Sequence, residues 1–340
     1  MDGSSDAGDS PAPGRIRGPV KVAVVQAEAA PFQREKGLEQ VEAWTREAAA
    51  KGAELVLLPE AYVGGYPWGL AFGTRMGRRT DAGRRIFQRY WEEAVALPGP
   101  AVDRLAATAR EHEVHLAVGV VERSGSGPDG TLYCTLLLFG PGGELLGKHR
   151  KLKPTAAERL VWGEGDGSTL PVVETPLGRV GGLICWENYM PLARMALYGK
   201  GVEIYLAPTA DPRDRWQATL RHIAVEGRCF VLGCNQYFRR DHYPSGEAEI
   251  QEELEGWPEE LCPGASSIWA PDGTCLAGPL QGEAGILLAD LDPEERVRAR
   301  YDFDAAGHYG RPDVFRLEVD EAPRPAVTYR TPTSAQPREH

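Results

Sequence analysis

The chain has 340 residues, a formal net charge of −11 and six cysteines. A balance this acidic disfavours non-specific binding to nucleic acid or to a membrane surface, which needs a basic face, and no apolar run is long enough to span a bilayer. Cys134, Cys185, Cys229, Cys234, Cys262 and Cys275 show no CxxC spacing, so neither a metal site nor a secreted disulfide framework is indicated. The first residues, rich in Ser, Gly, Pro and Asp, lack the apolar core of a signal peptide, and reduced thiols in the cytoplasm fit best. Residues 1–18 and 321–340 read as flexible tails around one body, residues 19–320.

Residues 21–26 and 54–58 read as strands flanking a helix at 38–50, where Leu38, Val41, Trp44 and Ala48 recur at helical spacing. The second strand ends in Leu57-Leu58-Pro59-Glu60. Proline stops the ladder and leaves Glu60 at the strand's C-terminal rim, where a glutamate is ordinarily a solvated loop residue. The next loop carries Tyr62 and Tyr66-Pro67-Trp68 among glycines, a composition better suited to a pocket wall than to a polar turn. Residues 102–111 then read as a helix, and 114–121 as a strand. Residues 132–139 and 144–149 form a hairpin about Gly140-Pro141-Gly142-Gly143.

Next comes His149-Arg150-Lys151-Leu152, with Lys148 and Lys153 on either side. Three of the chain's seven lysines fall in this stretch, against 31 arginines overall. Lysine supplies a compact point charge, useful where developing negative charge has to be held close to a reacting atom; the ordinary alternative is a basic surface patch. Beyond it the strand at 180–184 ends in Cys185, and a helix-like segment begins at once. Helix amides near a thiol lower the cost of a thiolate. A cysteine in this position is more often a small buried hydrophobe, and the argument for chemistry is the company of Glu60 and Lys151. A helix at 191–198, a strand at 204–207, a helix at 215–226 and a strand at 230–234 come next. The acidic stretch 246–260 reads as a surface insertion or a solvated loop. A hairpin at 266–270 and 274–277 and a last strand at 285–291 complete an α/β alternation.

Glu60, Lys151 and Cys185 stand in the chain order of the catalytic triad of the nitrilase branch of the carbon-nitrogen hydrolase family, which this chain resembles. The resemblance rests on Leu57-Leu58-Pro59-Glu60 with Gly65-Tyr66-Pro67, on His149-Arg150-Lys151-Leu152 with Pro154-Thr155, on Glu158-Arg159 through Trp162-Gly163, and on Cys185-Trp186-Glu187. Gly307-His308-Tyr309 and Arg311-Pro312-Asp313 extend it late in the chain. It implies a four-layer αββα sandwich, homodimers that build larger or spiral homo-oligomers, and a small-molecule nitrile as substrate. It also implies hydrolysis to acid and ammonia with no cofactor and no metal: Glu60 as base, Cys185 as nucleophile, and Lys151 with the Trp186 amide as charge stabilisers. Glu158 is then either a partner that holds Lys151 or a structural residue. Tyr62, Tyr66, Trp162, Trp186 and Thr209 are candidates to line the pocket. Amidase, nitrile hydratase-type or cyanide-directed activity would use the same triad, while a silent scaffold or a redox-sensing thiol are readings outside enzymology.

Overall fold

Residues 20–26 are buried along almost their whole length. Such a strand needs cover on both faces, and the architecture supplies it. The computed structural model describes residues 18–124 and 130–328. Its first half runs β1 (Val20–Gln26), α1 (Arg34–Ala50), β2 (Leu55–Leu57), a small hairpin of β3 (Thr74–Arg75) and β4 (Arg78–Arg79), α2 (Asp81–Glu92), β5 (Val95–Leu97), α3 (Pro100–Glu111), β6 (His115–Ser124), β7 (Leu132–Phe139) and β8 (Leu145–Arg150). The second runs β9 (Val172–Thr175), β10 (Gly178–Gly182), α4 (Pro191–Gly199), β11 (Ile204–Thr209), α5 (Asp214–Gly227), β12 (Phe230–Asn235), β13 (Tyr237–Arg239), α6 (Ala248–Glu253), β14 (Glu260–Trp269), β15 (Cys275–Gln281), β16 (Gly285–Leu291) and α7 (Pro293–Asp302).

The halves give two mixed sheets. One has the order β16-β1-β2-β6-β7-β8 with β5 also on β6; the other has β13-β14-β12-β11-β10-β9 with β15 also on β14. In each sheet three neighbouring strands are parallel, β1, β2 and β6 in the first and β10, β11 and β12 in the second. The sheets face one another. Phe230, Leu232 and Cys234 of β12 share a core with Val24, Leu57 and Leu116, and the Cys234 thiol donates to the carbonyls of Val25 and Leu57 at 3.3 and 3.4 Å. Leu38 and Val41 of α1 and Leu105 of α3 cover the outside of the first sheet, while Leu197 of α4 and Leu220 and Ile223 of α5 cover Tyr205 and Val231 on the outside of the second. The layers are therefore αββα, as the resemblance implies.

Several elements differ from the sequence reading. Helix α2 escapes it because the core stripe is only Gly83, Ile86 and Tyr90 in a run of Arg and Glu; Thr80 caps the helix, accepting from the Gly83 amide at 3.0 Å. The stretch 246–260 is not a solvated loop. It carries α6, which buries Ile250 and Leu254, pairs Glu247 and Glu249 with Arg89 and Arg85 of α2, and accepts the Ala71 and Phe72 amides on Glu253 at 2.7 and 3.0 Å. Strand β10 ends at Gly182, two residues before the expected end at 184. Cys185 opens a single 3₁₀ turn, Cys185–Tyr189, and α4 starts separately at Pro191. Of the two expected tails, residues 1–17 and 329–340 lie outside the described residues. Residues 321–328 are exposed but tied to the body, through Glu321 to Lys200 and through the Arg324 amide to Asp166 at 2.7 Å.

Gly119 of β6 shows how the first sheet delivers Glu60. Its amide donates to the Pro59 carbonyl, and its own carbonyl accepts from Val63, both at 3.1 Å, so residues 59–63 run flush against β6. A Cβ at position 119 would lie 2.2 Å from the Pro59 carbonyl oxygen and 2.8 Å from the Glu60 Cα. Gly119→Ala is expected to cost about 1–3 kcal/mol by forcing that backbone outward, read as a lowered urea midpoint, and to reduce activity through the displaced carboxylate.

Candidate active site

Glu60 lies just past the end of β2, Lys151 past the end of β8 and Cys185 past the end of β10. The first two come from one sheet and the third from the other, and they meet between the sheets. The Lys151 ammonium is buried and donates to Glu60 Oε1 at 2.6 Å and to Glu158 Oε2 at 2.7 Å. Glu158 is the third residue of a 3₁₀ turn after Thr155. From there its Oε2 also accepts the Thr155 amide at 2.6 Å, and its Oε1 accepts the Tyr66 hydroxyl at 2.7 Å. The three lysines of the segment thus separate: Lys148 pairs with Glu122 at 3.2 Å, Lys153 pairs with Glu164 on the surface, and only Lys151 points inward.

Burial sets the electrostatics. Desolvation raises the Glu60 pKa to about 7 against the opposing pull of Lys151, with Glu158 adding to the rise and the nearby Cys185 thiol lowering it. Its Oε1 takes Lys151 and, at 3.5 Å, the Cys134 thiol; its Oε2 has no hydrogen-bond partner among the described residues. One oxygen is therefore anchored and the other is open to receive a proton. Burial opposes the charge on Lys151, but Glu60, Glu158 and Cys185 outweigh it and hold the ammonium well above its usual range. For Cys185, burial and then the Glu60 charge push the thiol well up, with Lys151 pulling the other way. This corrects the expectation of a thiolate eased by helix amides. One 3₁₀ turn supplies little dipole, and the site is a protonated thiol beside a base.

Cys185 has a φ of +51°, a left-handed conformation that a non-glycine residue holds only under constraint from its surroundings. Asn188 supplies part of that constraint, donating to the carbonyls of Leu183 and Cys185 at 2.9 and 2.8 Å while accepting from Tyr205 at 2.8 Å. Glu187 supplies the rest. Its carboxylate accepts the Ile184 amide at 2.7 Å, the Leu152 amide at 2.6 Å and His149 Nε2 at 2.9 Å, so it fastens the turn before the cysteine to the segment that carries Lys151. The other nitrogen of His149 faces the Thr169 carbonyl. Burial opposes the charge on this ring, but Glu187 and the carbonyl raise its pKa, and an imidazolium satisfies both acceptors.

Of the candidate pocket residues, Thr209 reaches Cys185, its hydroxyl 3.1 Å from the sulfur. Tyr66 binds Glu158, and Trp162 packs edge-on against Tyr66 with its ring 5.8 Å from the Lys151 ammonium. Trp186 is half-exposed, donates to Asp211 at 2.9 Å and lies under Arg213. Tyr62 is not brought to the site. It is fully buried with its hydroxyl on the Glu28 carbonyl and Gln40, and belongs to the core beneath α1. The sequence reading missed the fastening roles of Glu187, His149 and Asn188, for which proximity to Cys185 and Lys151 was the available signal. Cys134 gave none, being one residue of an apolar strand. Among the described residues no cluster of His, Cys, Asp and Glu is arranged to hold a metal ion.

A thiol buried beside a carboxylate and an ammonium is an arrangement suited to nucleophilic catalysis. The chain belongs to the carbon-nitrogen hydrolase family, whose model matches residues 21–301. Among its relatives, a bifunctional nitrilase/nitrile hydratase of Lupinus angustifolius (NIT4A) is 51% identical over 91% of this chain and 88% of its own. An aliphatic nitrilase of Sinorhizobium fredii (strain HH103) is also 51% identical, over 91% of this chain and 98% of its own. In fold it is similar to Nit3 of Saccharomyces cerevisiae, a nitrilase superfamily member, with a TM-score of 0.66 at 21% identity over 86% of this chain and 97% of that one. An amidase from Nesterenkonia sp. gives 0.61 at 22% identity, over 85% and 96%.

The Glu187 carboxylate generates a prediction. Glu187→Ala leaves two backbone amides and a histidine without their acceptor, each orphaned donor costing about 1–3 kcal/mol. The variant is expected to lose about 3 kcal/mol or more, measured by urea denaturation.

Proposed function

We propose that the protein is a nitrilase, converting an organic nitrile to its carboxylic acid and ammonia. The observation that carries this reading is the buried Glu60–Lys151–Glu158 chain beside the Cys185 thiol, in a protein half identical to nitrilases from a plant and a bacterium. Glu60 takes the proton of Cys185 as sulfur adds to the nitrile carbon and passes it to the nitrile nitrogen, giving a thioimidate and a free carboxylate again. Lys151, assisted by the Trp186 amide, holds the charge that develops on nitrogen. The Glu60 carboxylate then takes a proton from a water that adds to the same carbon and hands it to nitrogen; as the new hydroxyl gives up its own proton to nitrogen, ammonia leaves and a thioester remains, and a second water releases the acid and restores the thiol. Thiol, carboxylate and ammonium supply every charge this sequence needs, and no cofactor enters it. Glu158 acts through Lys151, keeping its position and charge.

A nitrile hydratase-type outcome is the second reading, favoured by the bifunctional name of the lupin relative. It arises if the tetrahedral intermediate expels the thiolate before ammonia, and a barrier difference of about 1.4 kcal/mol moves the product ratio tenfold. The hydrolase domain spans residues 19–320 and works in the cytoplasm, a reading supported by six unpaired cysteines. It assembles as a homodimer that builds larger oligomers; the exposed Tyr301, Tyr309, Val314 and Phe315 give an apolar surface for a second copy to cover.

Cys185→Ala is expected to abolish ammonia release while leaving the thermal midpoint near that of the wild type, and Lys151→Ala to lose at least about a hundredfold in turnover. Lys153→Ala should stay active. Equal losses at Lys151 and Lys153 would reduce the segment to a basic patch, and chromatography showing amide as the main wild-type product would replace the nitrilase reading with the hydratase one.

The pH dependence comes from Glu60. A base has to be ionised to accept the thiol proton, so kcat/KM is expected to fall as pH drops through about 7, the pKa to which burial raises Glu60. Because the ammonium of Lys151 is held well above its usual range, no matching loss is expected at mildly alkaline pH. A profile already flat at pH 5 would remove Glu60 as the base.

A further inference from the structure

Gln236 is fully buried, yet neither its Oε1 nor its Nε2 has a hydrogen-bond partner among the described residues. A primary amide withdrawn from water without partners is costly, and such a group in a native fold calls for an occupant. Its place is fixed by its neighbours. Gln236 comes directly after β12, its backbone N–H donates to the Asn235 side-chain oxygen at 3.0 Å, and the backbone N–H of the next residue, Tyr237, donates to the Ala27 carbonyl at 3.0 Å, joining the two sheets. Asn235 pairs with Thr209, whose hydroxyl touches Cys185. Along β12 the side chains of Phe230, Leu232 and Cys234 enter the space between the sheets, so the alternation of a strand sends Gln236 to the same side, one pleat beyond Cys234. The Cys234 thiol already reaches the carbonyl of Leu57, three residues before Glu60. Gln236 therefore follows β12 at the end of the second sheet where Cys185 follows β10, next to the residue that pairs with Thr209.

We propose that Gln236 is a specificity-determining residue whose amide binds a hydrogen-bonding substituent on the carbon chain of the nitrile, the substituent being uncharged overall. This rests on the nitrile reading above and deepens it. An amide offers one acceptor and two donors, which a hydroxyl or a carboxamide satisfies and an alkyl group does not. The limit on charge comes from the pocket itself: two carboxylates, Glu60 and Glu158, share one ammonium, so an anionic substituent has no unspent cation to meet. A subsite built to hydrogen-bond a substrate rejects the apolar analogue, because that analogue leaves the buried group unpaired.

The test compares 3-hydroxypropionitrile with butyronitrile, which have nearly the same shape. Wild-type kcat/KM is expected to favour the hydroxynitrile about tenfold, and Gln236→Met to bring the ratio to about one. Calorimetric binding to Cys185→Ala, which does not turn substrate over, decides the matter independently should Gln236→Met fail to fold. There the hydroxynitrile is expected to bind about tenfold tighter. Equal affinities, or a preference that survives in Gln236→Met, would overturn the assignment and leave the amide holding internal water only. Wild-type protein that releases ammonia from neither nitrile, nor from a wider panel, defeats the nitrile reading itself, whereas equal rates on the two defeat only the role of Gln236.

Discussion

One buried ammonium organises this molecule. Lys151 lies out of water between Glu60 and Glu158, and each of the three would be untenable there alone. A buried charge pair of this kind contributes little net stability compared with an apolar filling, because desolvation consumes most of the attraction. Its contribution is to the acidity of Glu60: desolvation raises that carboxyl's pKa to about 7 against the pull of Lys151, and the second carboxylate, Glu158, adds to the rise. Removing Glu158 would give Glu60 the whole of the lysine and make it a weaker base. In the mechanism proposed, the second glutamate thus acts through its neighbours without touching the reacting atoms.

The fold exists to bring these charges to a thiol that comes from elsewhere. Glu60 and Lys151 close strands of one sheet and Cys185 lies beyond a strand of the other, so the site is complete only when the sheets are face to face. Glu187 and His149 turn that docking into a fixed distance. Their ion pair, buried and flanked by two backbone amides, ties the lysine segment to the turn that strains Cys185 into its left-handed conformation. Small residues are needed wherever backbones have to approach this closely, as Gly119 shows beside Glu60.

Much of this was legible in the sequence because the chemistry sits at punctuation. Pro59 ends β2 just before Glu60, Cys185 ends an apolar run, and lysine is rare enough here that three together stand out. The parallel strands were legible for the same reason, being short apolar runs between glycines and prolines. The features hidden from it depend on contacts distant in sequence. Helix α2 hides its core stripe among arginines, and α6 is anchored in part where Glu247, Glu249 and Glu253 meet partners from residues 71 to 89. The fate of Tyr62 could not be read either, since an aromatic after a catalytic strand faces pocket or core according to one backbone rotation. The thiol's environment was misjudged because periodicity cannot tell a 3₁₀ turn from the first turn of a longer helix.

The seating of Cys185 on one sheet and of its base on the other has a bearing on the life of the chain before it is folded. On a nascent or partly unfolded polypeptide Cys185 is an ordinary thiol, with no carboxylate to take its proton and no ammonium to steady the group it attacks. It acquires its base only when the two sheets have docked and Glu187 has joined their loops. The three side chains are therefore neighbours only in the docked fold, and an undocked chain carries the thiol without its companions.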